Sequence, residues 1–251
     1  MRDYKFKTKP FDHQKKVLED SWSAEFYALF MEMGTGKSKV AIDTIGMLYQ
    51  AKKISAALIL APKGVYDNWV QGEIPAHLPD EIKRMVVRWT PSTSKKFQEE
   101  MKELVYERPF DGLKIFVINV EALSTPRGTK AAFAFLKENS ENIIIIDEST
   151  TIKNRKATRT KNVMLLAKYS KYKRILTGSP VTKSPMDLFS QCMFLSPAAL
   201  NFNSYFAFQN RYAIVQKRTM GTRAFQEITG YRRLDELNQK LDRFSNRTLK
   251  E

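Results

Sequence analysis

Short apolar blocks recur along this chain, and longer stretches between them carry apolar residues every three or four positions. The blocks lie at 26–31 (FYALFM), 56–60 (AALIL), 85–89 (MVVRW), 115–120 (IFVINV), 143–146 (IIII) and 174–177 (RILT). Continuous runs of this kind predict strands covered on both faces, since a half-solvated strand would alternate apolar with polar positions. The helical period occupies 13–22, 37–50, 94–107, 130–138 and 157–168. Strand and helix in alternation predict βαβ units: a mainly parallel central sheet, right-handed crossovers, and ligand sites at the carboxyl ends of the strands. Past residue 177 the strand signal fades. There 186–195, 204–214 and 234–244 read as helices, with Gly221 and Gly230 bracketing a polar loop or small hairpin. The expectation is an α/β domain over residues 1–200 and a helical C-terminal extension over 201–251.

Composition narrows the function classes. With 43% hydrophobic residues in 251, the chain is too apolar for intrinsic disorder and long enough to bury about 70% of its unfolded surface. A single cysteine, Cys192, excludes an internal disulfide, and with only His13 and His77 beside it no Cys/His zinc site can form. These three are expected to be structural or surface residues, without the partners of a nucleophilic triad. The cysteine usage suits a reducing, intracellular, cytoplasmic setting. The opening Met1-Arg-Asp-Tyr-Lys is too polar for a signal peptide, and no apolar run approaches the ~20 residues that span a bilayer. No membrane partner is expected. Lys and Arg number 42 against 27 Asp and Glu, a net charge of +15 that calls for a polyanionic partner.

Two elements supply candidate chemistry. The segment Glu32-Met-Gly-Thr-Gly-Lys-Ser38 follows a predicted strand and opens a predicted helix, the context in which a glycine-rich loop cradles phosphate. Gly34 and Gly36 let the backbone N–H groups of 33–36 turn toward phosphate oxygens; Lys37 reaches the β and γ phosphates, and the Ser38 hydroxyl ligates Mg²⁺. Met31 stands where the full G-x-x-x-x-G-K-[ST] pattern has its first glycine, so by itself the loop also reads as a plain glycine turn at a helix start. The second element is the block at 143–146 ending in Asp147 and Glu148. Paired acids at a strand end can hold Mg²⁺ with the first and orient an attacking water with the second, or simply be solvated. Together the two elements point to nucleoside triphosphate hydrolysis.

Further motifs stand in a fixed order around these. Lys9-Pro-Phe-Asp-His-Gln14 resembles a glutamine motif that recognises adenine, and 32–38 the E-M-G-L-G-K-T of motif I, which also lacks the first glycine. Leu58-Ile-Leu-Ala-Pro62 with Trp69 is similar to motif Ia, and Asn119-Val-Glu-Ala-Leu123 to the next nucleic-acid-facing motif. Asp147-Glu-Ser-Thr150 occupies motif II, followed by the I-K-N of 152–154; Arg174-Ile-Leu-Thr-Gly-Ser-Pro180 resembles motif III, followed by Asp187-Leu-Phe189. The chain thus resembles the N-terminal RecA-like lobe of a superfamily 2 helicase, most like the Snf-type DNA-dependent ATPases, which include phage and bacterial members. The resemblance implies a three-layer RecA-like P-loop NTPase fold and ATP with Mg²⁺ as cofactors. It also implies an ATP site of Gln14, Met33, Gly34, Thr35, Gly36, Lys37 and Ser38, Mg²⁺ on Ser38 and Asp147, and catalysis by Glu148, Lys37 and Asp147.

Two positions depart from the pattern: Ser149 replaces Ala or Gly, and Thr150 the usual His. Coupling between nucleotide and nucleic acid is expected to pass through Thr150, Thr177 and Ser179. Gln14 offers an amide to the adenine edge, or is a solvated helix residue; Trp69 is a core anchor or a nucleic-acid contact. Between Ser149 and Met186 lie ten basic residues and no acid. Among them Lys153, Arg155 and Lys156 are expected to contact the phosphates of duplex DNA, with Lys63, Ser124 and Thr125 as further candidates. Residues 246–251 resemble the R-R-T-K that closes the first lobe. No second phosphate loop follows, so a monomeric chain lacking the partner lobe and its arginine fingers is expected to hydrolyse ATP poorly. A non-hydrolysing ATP/DNA-binding module and an RNA helicase lobe remain as alternatives.

Overall fold

The computed structural model describes residues 4–92, 94–106, 110–220 and 223–250. The first three residues, Glu107 at the end of one predicted helix and Gly221 of the predicted hairpin lie outside them.

Seven strands make one sheet in the order β3-β4-β2-β5-β6-β1-β9, with every pairing parallel. Helix α1 (Asp12–Ser21) leads into β1 (Phe26–Met31), and α2 (Lys37–Gln50) crosses to β2 (Ala56–Ala61). A compound helix follows: α3 (Tyr66–Asn68), a π turn over Trp69–Glu73, and α4 (Ile74–His77). Then come β3 (Arg84–Arg88), α5 (Lys95–Val105), β4 (Leu113–Asn119), α6 (Pro126–Glu138), β5 (Asn142–Asp147), α7 (Thr158–Leu166) and β6 (Tyr172–Thr177). All six apolar blocks are strands, within a few residues of their predicted limits.

The sheet is the middle of three layers because alternate residues of the same apolar runs feed two cores. Leu58, Leu60, Phe116, Ile144 and Ile146 pack under α6, α7 and α8 (Leu188–Leu195). Ala57, Ile59, Val117, Ile143 and Ile145 pack under α1, α2 and the compound helix. This two-sided burial is what the unbroken Ile143–Ile146 run requires. Among the described residues no helix is long and apolar enough to cross a membrane.

The C-terminal part is mixed, not purely helical. It contains α9 (Tyr205–Tyr212) and α10 (Leu234–Leu241), but between them β7 (Ala213–Met220) and β8 (Arg223–Tyr231) form an antiparallel ribbon. Finally β9 (Ser245–Thr248) returns to the main sheet beside β1. The polar sequence SNRT hides this strand: it lies on the sheet edge, where backbone pairing with β1 supplies the order that apolar burial supplies elsewhere.

Arg174, counted by sequence within the basic run, is fully buried. Its guanidinium donates to the carbonyls of Ser21, Ala24 and Lys173 at 2.7–2.8 Å and so ties the α1–β1 turn to the start of β6. Burial pushes its pKa down to about 9, leaving it charged at neutral pH. Lys168, Lys171 and Lys173 lie at or just before this same amino end of β6, at the opposite end of the strand from Thr177. The basic run thus reaches beyond the carboxyl end of the sheet, with Arg155, Lys161, Lys168 and Lys173 bordering one cleft and Arg174 buried.

Candidate active site

Topology puts the candidate residues together. The glycine loop leaves the carboxyl end of β1, the acids end β5, and the Thr177 loop leaves β6, which runs between them. Gly34 and Gly36 adopt φ values of 85° and 84°, the left-handed region open to glycine, and Gly36 caps α2. A side chain at Gly36 would strike Gln14, whose Nε2 would lie 2.2 Å from the added Cβ. Gln14 is buried, donates from Nε2 to the Thr35 carbonyl at 3.0 Å, and accepts at Oε1 from the Phe11 N–H. His13 Nε2 donates to the same carbonyl, also at 3.0 Å. Gln14 thus braces the glycine loop from behind, while Phe11 and Met33 stand exposed. From the other side, β9 holds the loop: the Glu32 N–H donates to Thr248 O and the Lys250 N–H to the Glu32 carboxylate. Thr35 Oγ1 and Lys37 Nζ both donate to the Glu32 carbonyl.

The acids are positioned by residues far away in sequence. The Trp69 indole N–H donates to Asp147 Oδ2 at 2.8 Å, and the Glu148 N–H to Oδ1 at 3.0 Å. Burial pushes the Asp147 carboxyl up, against the pull of the Trp69 hydrogen bond and of the Lys37 charge. Glu148 has φ 48°, a conformation uncommon for a non-glycine residue. Its carboxylate accepts from Thr177 Oγ1 at 3.1 Å, and that hydroxyl accepts in turn from the Ser179 N–H. Ser149 donates to Gln191 Oε1 at 2.6 Å, while Gln191 Nε2 donates to the carbonyls of Pro180 and Asp187. Both Ser149 and Gln191 are fully buried. The loops after β5 and β6 are joined by these two bridges, whereas the Thr150 side chain makes no hydrogen bond among the described residues.

These groups suit Mg²⁺ with a phosphate ligand. The donors are one carboxylate, Asp147, and one hydroxyl, Ser38, at the mouth of a glycine loop, and Mg²⁺ characteristically combines such sparse protein ligation with phosphate oxygens and water. Among the described residues no cluster of three or more His, Cys, Asp or Glu forms a fuller protein cage.

The nucleic-acid candidates divide. Lys153 Nζ donates to Thr182 Oγ1, and Arg155 lies over the Tyr205 ring at 4.4 Å; both, with exposed Lys156, are at the carboxyl end of the sheet. Lys63 and Ser124 are exposed, on the loops after β2 and β4. Thr125 caps α6, its hydroxyl accepting from the Gly128 N–H. Cys192 is buried, and His77 Nδ1 is 2.7 Å from Thr8 Oγ1.

The SNF2-related domain matches residues 14–251. The chain belongs to that family. It is 27% identical to the human DNA annealing helicase and endonuclease ZRANB3 over 219 residues, 87% of this chain and 18% of that protein. It is 26% identical to the ISWI chromatin-remodeling complex ATPase ISW2 of Saccharomyces cerevisiae over 175 residues, 66% of this chain and 14% of the relative. The Sulfolobus solfataricus SWI2/SNF2 ATPase core, solved in complex with double-stranded DNA, superposes with a TM-score of 0.71 at 22% identity, covering 98% of this chain and 46% of that one. The chain therefore spans a minor part of each relative. As an SNF2-family ATPase-core domain it has the mainly parallel RecA-like sheet of that core. The sequence marked Trp69 as a core anchor or a nucleic-acid contact; it is buried in the core of this SNF2-related domain, and what the sequence did not mark is its bond to Asp147. Gln191 was not singled out at all, although an amide inside the mainly apolar α8 was a signal.

Proposed function

We propose that this chain is the ATP-binding motor lobe of a DNA-dependent ATPase that couples Mg-ATP hydrolysis to movement along duplex DNA. The observation that carries the proposal is the hydrogen bond from Thr177 to Glu148, paralleled by Ser149 to Gln191. Glu148 is the group that would orient the attacking water, and it is bonded to a loop whose far side carries Lys153 through Thr182. A change at the γ-phosphate that moves Glu148 must move that loop too, and with it a basic surface.

The residues divide the work by position. The N–H groups of the glycine loop and Lys37 bind the triphosphate, and Gln14 keeps the loop in shape; Ser38 and Asp147 would hold Mg²⁺, which supplies charge neutralisation at the transferring phosphoryl group. Glu148 receives the proton of the attacking water while its φ of 48° aims the carboxylate toward the loop. Lys153, Arg155 and Lys156 face the phosphates of the DNA, which accounts for part of the +15 charge. Residues 1–200 form the motor body, 201–251 its closing extension, and a second RecA-like lobe completes the site with arginine fingers.

Glu148→Gln tests this reading. The amide keeps the hydrogen bond with Thr177 and cannot take a proton, so turnover should fall at least about 100-fold while Mg-ATP affinity is kept. Retained turnover contradicts the assignment.

A further inference from the structure

Beside the phosphate-contacting lysines lies a cleft of about 490 Å³, bounded by the loop after β5, the loop after β6, α9 and β8. Its lining combines three chemistries: the cations Lys153, Arg155 and Lys156, the aromatic rings of Tyr205 and Phe206, and the carboxamides of Gln209 and Gln226. The volume is in the range of small-ligand pockets.

Phe206 is 61% exposed, and the fold does not need it. Helix α9 is anchored by Phe208 and Tyr212, one turn apart and both fully buried. Phe206 instead projects beside Tyr205, ring centroids 6.0 Å apart, with the Arg155 guanidinium 4.4 Å from the Tyr205 centroid and 5.5 Å from that of Phe206. No carboxylate pairs with Arg155 or Lys156 among the described residues. Asp187, which also borders the cleft, already accepts from Thr182 Oγ1 at 2.8 Å and from the Lys183 N–H at 3.0 Å. The Gln209 and Gln226 amides make no hydrogen bond among the described residues.

We propose that this cleft is a pocket for one unpaired nucleotide of DNA, its base stacked on Phe206, its edge met by Gln209 and Gln226, and its phosphate held by Lys153 and Lys156. Aromatic and guanidinium planes offer a base a stacking face, amides offer both donor and acceptor, and Lys156, with no carboxylate partner among the described residues, takes the phosphate with Lys153 beside it. A paired base has both faces covered within the duplex, so the pocket selects an extruded or single-stranded nucleotide next to the tracked duplex. This specificity rests on the DNA-binding reading above and adds to it a preference for interrupted duplexes.

The test compares binding of a fully paired duplex with the same duplex carrying an unpaired 2-aminopurine nucleotide. The expected result is tighter binding of the interrupted duplex by at least about five-fold, the lower bound for one stacked base, with quenching of the 2-aminopurine fluorescence. Phe206→Ala should abolish the preference and the quenching and leave paired-duplex affinity unchanged, while Phe206→Trp should retain both. Equal affinity of the wild-type protein for the two duplexes would overturn the proposal, as would a Phe206→Ala loss shared equally by both. If neither duplex binds, the DNA-binding reading fails and the pocket assignment with it.

Discussion

At the scale of single residues, the candidate chemistry is held by partners that are remote in sequence. Trp69 is the clearest case, since its indole N–H is aimed at Asp147 Oδ2 across 78 positions. A partner of this kind fixes the direction of the carboxylate and favours its ionised form against the burial that raises it, as the proposed Mg²⁺ ligand would need. Trp69→Phe keeps the ring and drops the donor, so the Mg²⁺ concentration for half-maximal ATP hydrolysis should rise about ten-fold. A Mg²⁺ titration of turnover checks it. Asp187 governs the loop after β6 in a similar way. Burial raises its carboxyl, but the N–H of Lys183 and both donors of Thr182 outweigh this and hold it below the ordinary Asp range. A depressed folded-state pKa contributes stability above the unfolded value, near 3.9, that is lost as pH falls through the folded pKa. The stability difference between wild type and Asp187→Asn in urea titrations should therefore be constant at neutral pH and vanish in strong acid.

At the scale of elements, Arg174 shows how a burial pattern corrects a charge count. Inside the strand it is a staple, and Arg174→Met would remove its hydrogen bonds to the Ser21, Ala24 and Lys173 carbonyls, of which Ser21 keeps the Ala24 N–H; a loss of about 3–5 kcal/mol in chemical denaturation is expected. Elements buried on two faces were legible from the sequence because burial writes itself into composition: Ile143–Ile146 can hardly be anything but a central strand. The glycine loop and the acids were legible because their chemistry needs particular residue types at fixed spacing. The strand Ser245–Thr248 was not, since its order comes from backbone pairing at an edge, and of the β7–β8 ribbon only a polar loop or small hairpin between Gly221 and Gly230 was read, because its exposed residues carry little apolar signal. Bridges such as Ser149 to Gln191 were equally hidden, because a contact across 42 positions leaves no local pattern. The Thr150 side chain, expected to take part in coupling, makes no hydrogen bond among the described residues, whereas its neighbour Ser149 bonds Gln191.

At the scale of the whole molecule, one sheet brings three loops to one end and sets a basic, partly aromatic surface beside them. On the proposed function, Asp147 and Glu148 of the nucleotide site share the β5 and β6 loops with Lys153, Arg155 and Lys156, so neither ligand could rearrange its own loop without disturbing the other's. Energetic coupling of that kind is reciprocal: DNA must affect the nucleotide as much as nucleotide affects DNA. The measurement closest to this claim is steady-state Mg-ATP hydrolysis by the protein together with the proposed second RecA-like lobe, with and without duplex DNA and with duplex RNA as the competitor. The account predicts that duplex DNA raises turnover at least about ten-fold, within the usual span of coupling energies, and that duplex RNA does not. Turnover that ignores DNA, or responds equally to RNA, would contradict it.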